Sequence, residues 1–306
     1  MASIAEPAHT GLGTLYLVPT PIGNVRDITL RAMDVLRSAA VVAAEDTRKA
    51  RTLLRALDIE ARLLSYYDFN EQARSVQLLR MLREGRDVAL VTDAGTPLVN
   101  DPGYRIVTAA IEAGARVCPL PGASAVLTAL IGSGLPAQRF EYAGFLPRKS
   151  AARQAAVAEL AALSATLIFF EAPHRLRDTV ADLLEVLGDR NAALARNLTK
   201  ADEEFLRGPL SDIAAELARR GEVRGEYTVL VAGVDKPDTA ASEELADRIA
   251  GALLRRDVHP HAVRDVVKEV TGLPRNQVYE RVQLAQHGPA PALGEPQPWP
   301  APGEPD

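Results

Sequence analysis

Asp87-Val88-Ala89-Leu90-Val91-Thr92 is a short apolar run, followed at once by Asp93-Ala94-Gly95-Thr96-Pro97-Leu98-Val99-Asn100-Asp101-Pro102-Gly103. The run suits a buried strand, and from Gly103 to Ala113 the pattern turns helical. The loop between them exceeds the roughly two to six residues usual after such a strand, and long loops tend to carry function. The same strand–loop–helix unit recurs on both sides. Gly13 to Val18, Ala40 to Ala44, Leu63 to Tyr66 and Arg116 to Leu120 read as strands. Thr29 to Arg37, Thr47 to Leu57 and Glu71 to Arg83 read as helices, with Leu30, Met33 and Leu36 three apart. Such alternation implies an α/β fold with a mainly parallel sheet and helices on both faces.

Gly132 to Pro136 punctuates the chain, and a second α/β set follows. Its strands are Thr166 to Phe170, Ala192 to Ala195, Glu203 to Arg207 and Tyr227 to Val231; its helices are Arg175 to Leu187 and Leu210 to Arg220. A polar linker, Val234 to Ala241, precedes three helical stretches: Ser242 to Arg256, Pro260 to Val270 and Pro274 to Ala285. Pro260 and Pro274 suit a first helical position and Gly272 a helix stop. The expected organisation is a flexible N-terminus (1–12), two α/β domains (13–136 and 137–234), a small helical domain (242–287) and a disordered tail (288–306) with seven prolines.

The 306 residues are 47% hydrophobic and 25% charged, ordinary for a globular protein. No apolar stretch is long enough to span a membrane, and the first eleven residues hold Glu6 and lack the basic start of a secretory signal; a cytoplasmic location is expected. The single cysteine, Cys118, excludes an internal disulfide and reads as a buried strand end. Five scattered histidines offer no metal-ligand spacing. The net charge of −5 lacks the basic excess common in nucleic-acid binders, so any RNA affinity must come from local patches.

In an open α/β sheet, ligands bind beyond the carboxyl ends of the strands. The loop after the first strand, Pro19-Thr20-Pro21-Ile22-Gly23-Asn24, lacks the glycine-rich dinucleotide fingerprint. After the second strand comes Glu45-Asp46-Thr47-Arg48, which reads either as a helix cap or as a site facing the cleft. After the fifth, Pro121-Gly122-Ala123-Ser124-Ala125 offers backbone amides and a hydroxyl at a helix start.

Taken in order, Pro21-Ile22-Gly23-Asn24, Ala44-Glu45-Asp46-Thr47-Arg48, Asp93-Ala94-Gly95-Thr96-Pro97, Asp101-Pro102-Gly103, Pro121-Gly122-Ala123-Ser124-Ala125, Ser133-Gly134-Leu135-Pro136, Gly144-Phe145-Leu146-Pro147-Arg148-Lys149, Glu171-Ala172-Pro173-His174-Arg175 and Leu198-Thr199-Lys200 resemble the signature of the 16S rRNA (cytidine-2′-O)-methyltransferases, of the tetrapyrrole-methylase superfamily. The resemblance implies two α/β domains with S-adenosylmethionine in the cleft between them, a homodimer, and 16S rRNA within the 30S subunit as substrate. It places Asp93, Ala94, Thr96, Val99, Ser124 and Ala125 on one side of the cofactor, and Phe170, Leu198, Glu226 and Tyr227 on the other. One position departs: the family has an acidic residue where this chain has Asn197.

A ribose hydroxyl is a poor nucleophile, so a general base is expected to help. Glu45, Asp46, Glu171 and Lys200 are the candidates, and the sequence does not rank them; Glu171 also suits a helix cap. For phosphate contact, Arg48, Arg51 and Arg55 share one helix face, and Arg148, Lys149 and Arg153 form a second cluster. Two other readings compete. A small-molecule methyltransferase of the same fold would show a glycine-rich first loop, which is absent. A non-catalytic RNA-binding assembly factor would need a basic footprint, yet residues 242–287 carry seven basic and seven acidic side chains.

Overall fold

The computed structural model describes residues 11–234 and 239–287. The expected tail, 288–306, the first ten residues of the expected flexible N-terminus and residues 235–238 of the linker lie outside them. By its internal contacts the chain divides after Val234 into two compact units.

The first unit holds two five-stranded sheets. One is built from β1 (Thr14–Leu17), α1 (Leu30–Ser38), β2 (Val41–Ala44), α2 (Thr47–Ala56), β3 (Leu63–Ser65), α3 (Glu71–Arg83), β4 (Val88–Val91), α4 (Tyr104–Glu112), β5 (Arg116–Pro119) and α5 (Ala125–Ser133). Its order is β3-β2-β4-β1-β5, with every pairing parallel. β2 and β4 are buried at every residue, as parallel strands covered on both faces must be. Parallel strands send all their carboxyl-end loops to one edge, and there the functional loops collect.

The other sheet comprises β6 (Phe140–Phe145), α6 (Ser150–Leu160), β7 (Thr166–Glu171), α7 (Leu176–Leu187), β8 (Asn191–Arg196), β9 (Glu204–Pro209), α8 (Leu210–Arg219) and β10 (Tyr227–Val231). Its order is β6-β7-β10-β8-β9; β6 pairs parallel to β7 and the remaining pairs are antiparallel. Neither β6 nor α6 stands out in the sequence. β6 lies at an edge and its register shifts between Tyr142 and Gly144, a bulge that interrupts any alternation. α6 is alanine-rich; its helicity comes from propensity, which leaves a weak apolar period.

Arg153, expected to contact RNA, requires a correction. It is 3% exposed, because α6 turns it toward α7. Its Nε donates to Asp182 Oδ2 at 2.6 Å, and its Nη1 to the Arg148 carbonyl at 3.2 Å. Burial pushes the Asp182 carboxyl up, but donors from Gln154, Ser150 and Arg153 outweigh it and hold the group below its ordinary range. Arg153 therefore joins α6 to α7.

The two sheets meet through their loops. Thr20 and Gly95 exchange backbone hydrogen bonds of 2.9 Å in both directions, which ties the first loop to the fourth. Gly23 presses against the segment after β8: a Cβ built there would lie 2.7 Å from the Leu198 carbonyl oxygen. The Asn24 amide donates to Thr199 Oγ1 at 3.0 Å.

In the second unit, α9 (Thr239–Leu254), α10 (Pro260–Thr271) and α11 (Arg275–His287) pack around Ala246, Ala250, Val263, Val267, Val278 and Val282. Pro260 opens α10, and Gly272, at φ 65°, closes it.

Two outcomes are expected. Asp182→Ala, which strands a buried guanidinium, should lower unfolding free energy by about 3–5 kcal/mol; a urea titration unchanged from wild type would contradict the buried pair. Gly23→Ala should cost about 1–3 kcal/mol through overpacking, read from the denaturant midpoint at constant slope.

Candidate functional site

A cavity of about 460 Å³ opens where the carboxyl edge of the first sheet faces the second. That volume suits a small-molecule ligand. From the first sheet it is lined by Ile22, Ala94, Thr96, Val99, Asn100, Asp101, Ser124 and Ala125. From the second come Phe145, Phe170, Glu171, Pro173, Leu198, Glu226 and Tyr227. Nine of the ten residues assigned to the cofactor in the sequence thus stand on one cavity.

The exception is Asp93. Its Oδ1 accepts from the Asp46 amide at 3.0 Å and its Oδ2 from Lys49 Nζ at 2.7 Å, so the carboxylate is spent bracing the loop after β2. Among the described residues, the cavity lining does not include Asp93.

The loop from Asp93 to Gly103 is held in an expensive shape. Gly95, Leu98, Asn100 and Gly103 all have positive φ, at 87°, 72°, 66° and 142°, and a bulky residue such as Leu98 rarely adopts it. A Cβ on Gly103 would lie 2.8 Å from Leu90 Cδ2 and 3.0 Å from Leu98 Cδ1, so glycine is what lets the loop close on β4. Thr96 Oγ1 donates to the Ala123 carbonyl at 2.9 Å, and Tyr142 Oη donates to Asn100 Oδ1 at 2.7 Å. Ser124 caps α5 by accepting from the Leu127 amide at 3.4 Å. The far wall is fixed by Asn197, left-handed at φ 49°. Its Oδ1 accepts from the Glu226 amide at 3.0 Å and its Nδ2 donates to Asp202 Oδ2 at 2.7 Å. A carboxylate at 197 would keep the first bond and meet Asp202 as a like charge, so the amide suits this surrounding.

The four expected proton-transfer candidates are not brought together. Asp46 caps α2 and grips Arg48, whose hydrogen bonds drop its pKa to about 2; it does not line the cavity. Glu45 is pushed up, first by burial and then by the Asp93 charge, and also lies off the lining. Glu171 lines the cavity, but its oxygens accept from the Ala172 amide at 2.8 Å and Thr179 Oγ1 at 2.6 Å, and pair with Arg175 at 3.3 Å. It does not cap α7, which has no side-chain cap, but these three partners leave it little capacity. Lys200 pairs with Glu226 at 2.9 Å.

The acid that sequence reasoning passed over is Asp101. It lines the cavity, and burial, followed by the charge of Glu45, raises its pKa to about 6. The available signal was its place late in a long loop, just before Pro102-Gly103 and a helix start. Of the expected RNA-contacting groups, Arg48, Arg51, Arg148 and Lys149 are exposed, with Arg48 held by Asp46. No group of three or more metal-ligating side chains occurs among the described residues, and no described helix is long and apolar enough to cross a membrane.

Residues 14–214 match the family model described as Tetrapyrrole (Corrin/Porphyrin) Methylases. A ribosomal RNA small subunit methyltransferase I of Micromonospora olivasterospora is 62% identical over 90% of this chain and 88% of its own length. Its namesake in Escherichia coli O157:H7 is 43% identical over 92% and 99%. Among solved structures, a cobalt precorrin-4 methyltransferase shares the fold with a TM-score of 0.54 at 19% identity, over 74% of this chain and 98% of its own. A Thermus thermophilus uroporphyrin-III C-methyltransferase, complexed with S-adenosylhomocysteine, does so with 0.51 at 23% identity, over 72% and 97%. The chain belongs to the tetrapyrrole (corrin/porphyrin) methylase family, among the ribosomal RNA small subunit methyltransferases I.

Proposed function

We propose that this protein methylates the ribose 2′-hydroxyl of a cytidine in 16S ribosomal RNA, using S-adenosylmethionine, and that it acts on the 30S subunit in the cytoplasm as a homodimer. The observation that carries the reading is the cavity walled by both sheets, in a chain whose relatives at 38–62% identity are named for small-subunit rRNA methylation. The two solved tetrapyrrole methylases above are 19% and 23% identical and speak for the fold alone.

The residues present suit the cofactor. Ile22, Val99, Phe170, Leu198 and Tyr227 give apolar walls for an adenine and a ribose, and Ser124 offers a hydroxyl at the start of α5. Glu226, on the same lining, supplies negative charge beside a cation. When bound, S-adenosylmethionine supplies a methyl group on a sulfonium with a neutral leaving group. The chain's work is then to align the hydroxyl with that carbon and to receive its proton.

Asp101 is the group assigned to the proton. Glu171 is committed to three donors and Glu226 to Lys200, whereas Asp101 faces the cavity with a carboxyl poised near neutrality. Its carboxylate form predominates above about pH 6 and is lost below it. A raised carboxyl pKa also lowers stability as pH rises from 3.8 through about 6, because the folded state then binds the extra proton.

Two measurements check these readings. Asp101→Asn should bind S-adenosylmethionine as wild type does, lose roughly 10²–10⁴ in methylation rate, flatten the acid limb of the pH–rate profile near pH 6, and unfold at a higher urea concentration at pH 7. Wild-type turnover by this variant would remove Asp101 from the proton path. The outer face of α5 leaves Leu127 and Ile131 uncovered one turn apart, which suits a second copy; light scattering at micromolar concentration should give twice the chain mass, and the single-chain mass would sink the dimer.

A further inference from the structure

Aromatic side chains make up only 5% of this chain, yet three of them stand in water at one end of the first sheet. Phe69 is 97% exposed, Tyr104 74% and Tyr67 41%. We propose that Tyr67, Phe69 and Tyr104 form a stacking platform that receives unpaired bases of the RNA beside the nucleotide entering the cavity. The inference rests on the preceding reading that the substrate is ribosomal RNA.

The platform is built, not loose. Tyr67 and Phe69 follow β3 and hold an edge-to-face arrangement with ring centroids 6.3 Å apart. Their turn is closed by the Tyr67 amide donating to Asn70 Oδ1 at 2.9 Å and the Asn70 amide donating to the Tyr67 carbonyl at 2.9 Å. Tyr66, fully buried beneath them, donates from its hydroxyl to Glu71 Oε1 at 3.1 Å. Rings on a fixed turn lose little conformational entropy when a base lands on them.

Glu71 also joins this turn to the cavity loop. Its Oε1 accepts from the Gly103 amide at 3.1 Å, and its Oε2 pairs with Arg105 Nε at 3.4 Å. Tyr104 lies between those two partners, three residues beyond the cavity-lining Asp101. The three rings therefore sit on the turn after β3 and on the first residue of α4, joined by one carboxylate at the carboxyl edge of the first sheet.

Charge decides what part of an RNA this rim accepts. Asp68 separates the two loop aromatics, and its charge is felt at Glu45 and Asp101, with Asp93 beside them. That concentration of acid repels a phosphate. An unpaired base offers a flat apolar face and amino donors, and stacking on aromatic rings is a main mode of single-strand recognition. The exposed Arg51, Arg148 and Lys149 are the groups left to take the phosphates.

The probe is the 30S subunit from a strain lacking this enzyme. Phe69→Ala, Tyr67→Ala and Tyr104→Ala should each weaken its binding about tenfold or more, while S-adenosylmethionine affinity by calorimetry and the salt slope of RNA binding stay at wild-type values, because no phosphate contact is lost. Phe69→Trp should keep the affinity and Phe69→Leu should lose it. Equal binding by Phe69→Ala and wild type, or by Phe69→Leu and Phe69→Trp, overturns the platform. So does a change in oligomer mass for Phe69→Ala, which would make these rings a contact between copies. A wild-type protein that neither binds nor methylates the subunit overturns the substrate reading itself, a result distinct from equal binding by wild type and variant.

Discussion

The close approach of Gly23 to Leu198, Thr199 and Lys200 is the constraint on which the site depends. The cavity has walls from two sheets, and neither sheet encloses it alone. The first loop and the segment after β8 meet backbone to backbone, with room for no Cβ at position 23. The Asn24–Thr199 hydrogen bond fixes their separation, and the Thr20–Gly95 exchange passes that position on to the long loop after β4. Asn197 completes the frame by holding the Glu226 amide, which sets where Tyr227 enters β10.

Within that frame, carboxylates of similar intrinsic acidity are sorted by their donors. Asp46, beside an arginine and a helix start, is locked as an anion. Asp93 and Glu171 spend their oxygens on backbone amides and neighbouring side chains. Asp101 is desolvated and flanked by other acids. Hydrogen-bond donors and burial separate these roles more sharply than residue type does.

The first sheet was legible because its buried strands are short apolar runs ended by turn or charged residues, and its helices keep a clear period. β6 and α6 were not, since a bulge at Gly144 and an alanine-rich helix erase the two patterns on which such reading relies. For the site, nine of the ten positions expected at the cofactor line the cavity, five of them because loops after parallel strands share one edge. Asp93 stands off the cavity and Arg153 is buried for one physical reason: sequence reveals that a charge lies near a loop, whereas its direction depends on partners such as Lys49 and Asp182, 44 and 29 residues away. Asp101 was quoted within a motif but given no role, because its protonation is set by burial, which one-dimensional spacing does not carry.

Leu98 and Asn100 are held left-handed by the protein's own packing, through the contact of Leu98 with Gly103 and the bond from Tyr142 to Asn100. A strain of about 1–3 kcal/mol per such residue is therefore charged against folding, and a ligand meets a loop whose shape is already set. The loop keeps that shape only while the surrounding sheets remain intact. Warming or a distant core substitution that loosens β4 or β6 lets the loop relax toward ordinary angles, and the cavity blurs before the chain unfolds. Thermal tolerance of ligand recognition should accordingly sit several degrees below that of the fold, and the two should move together across variants.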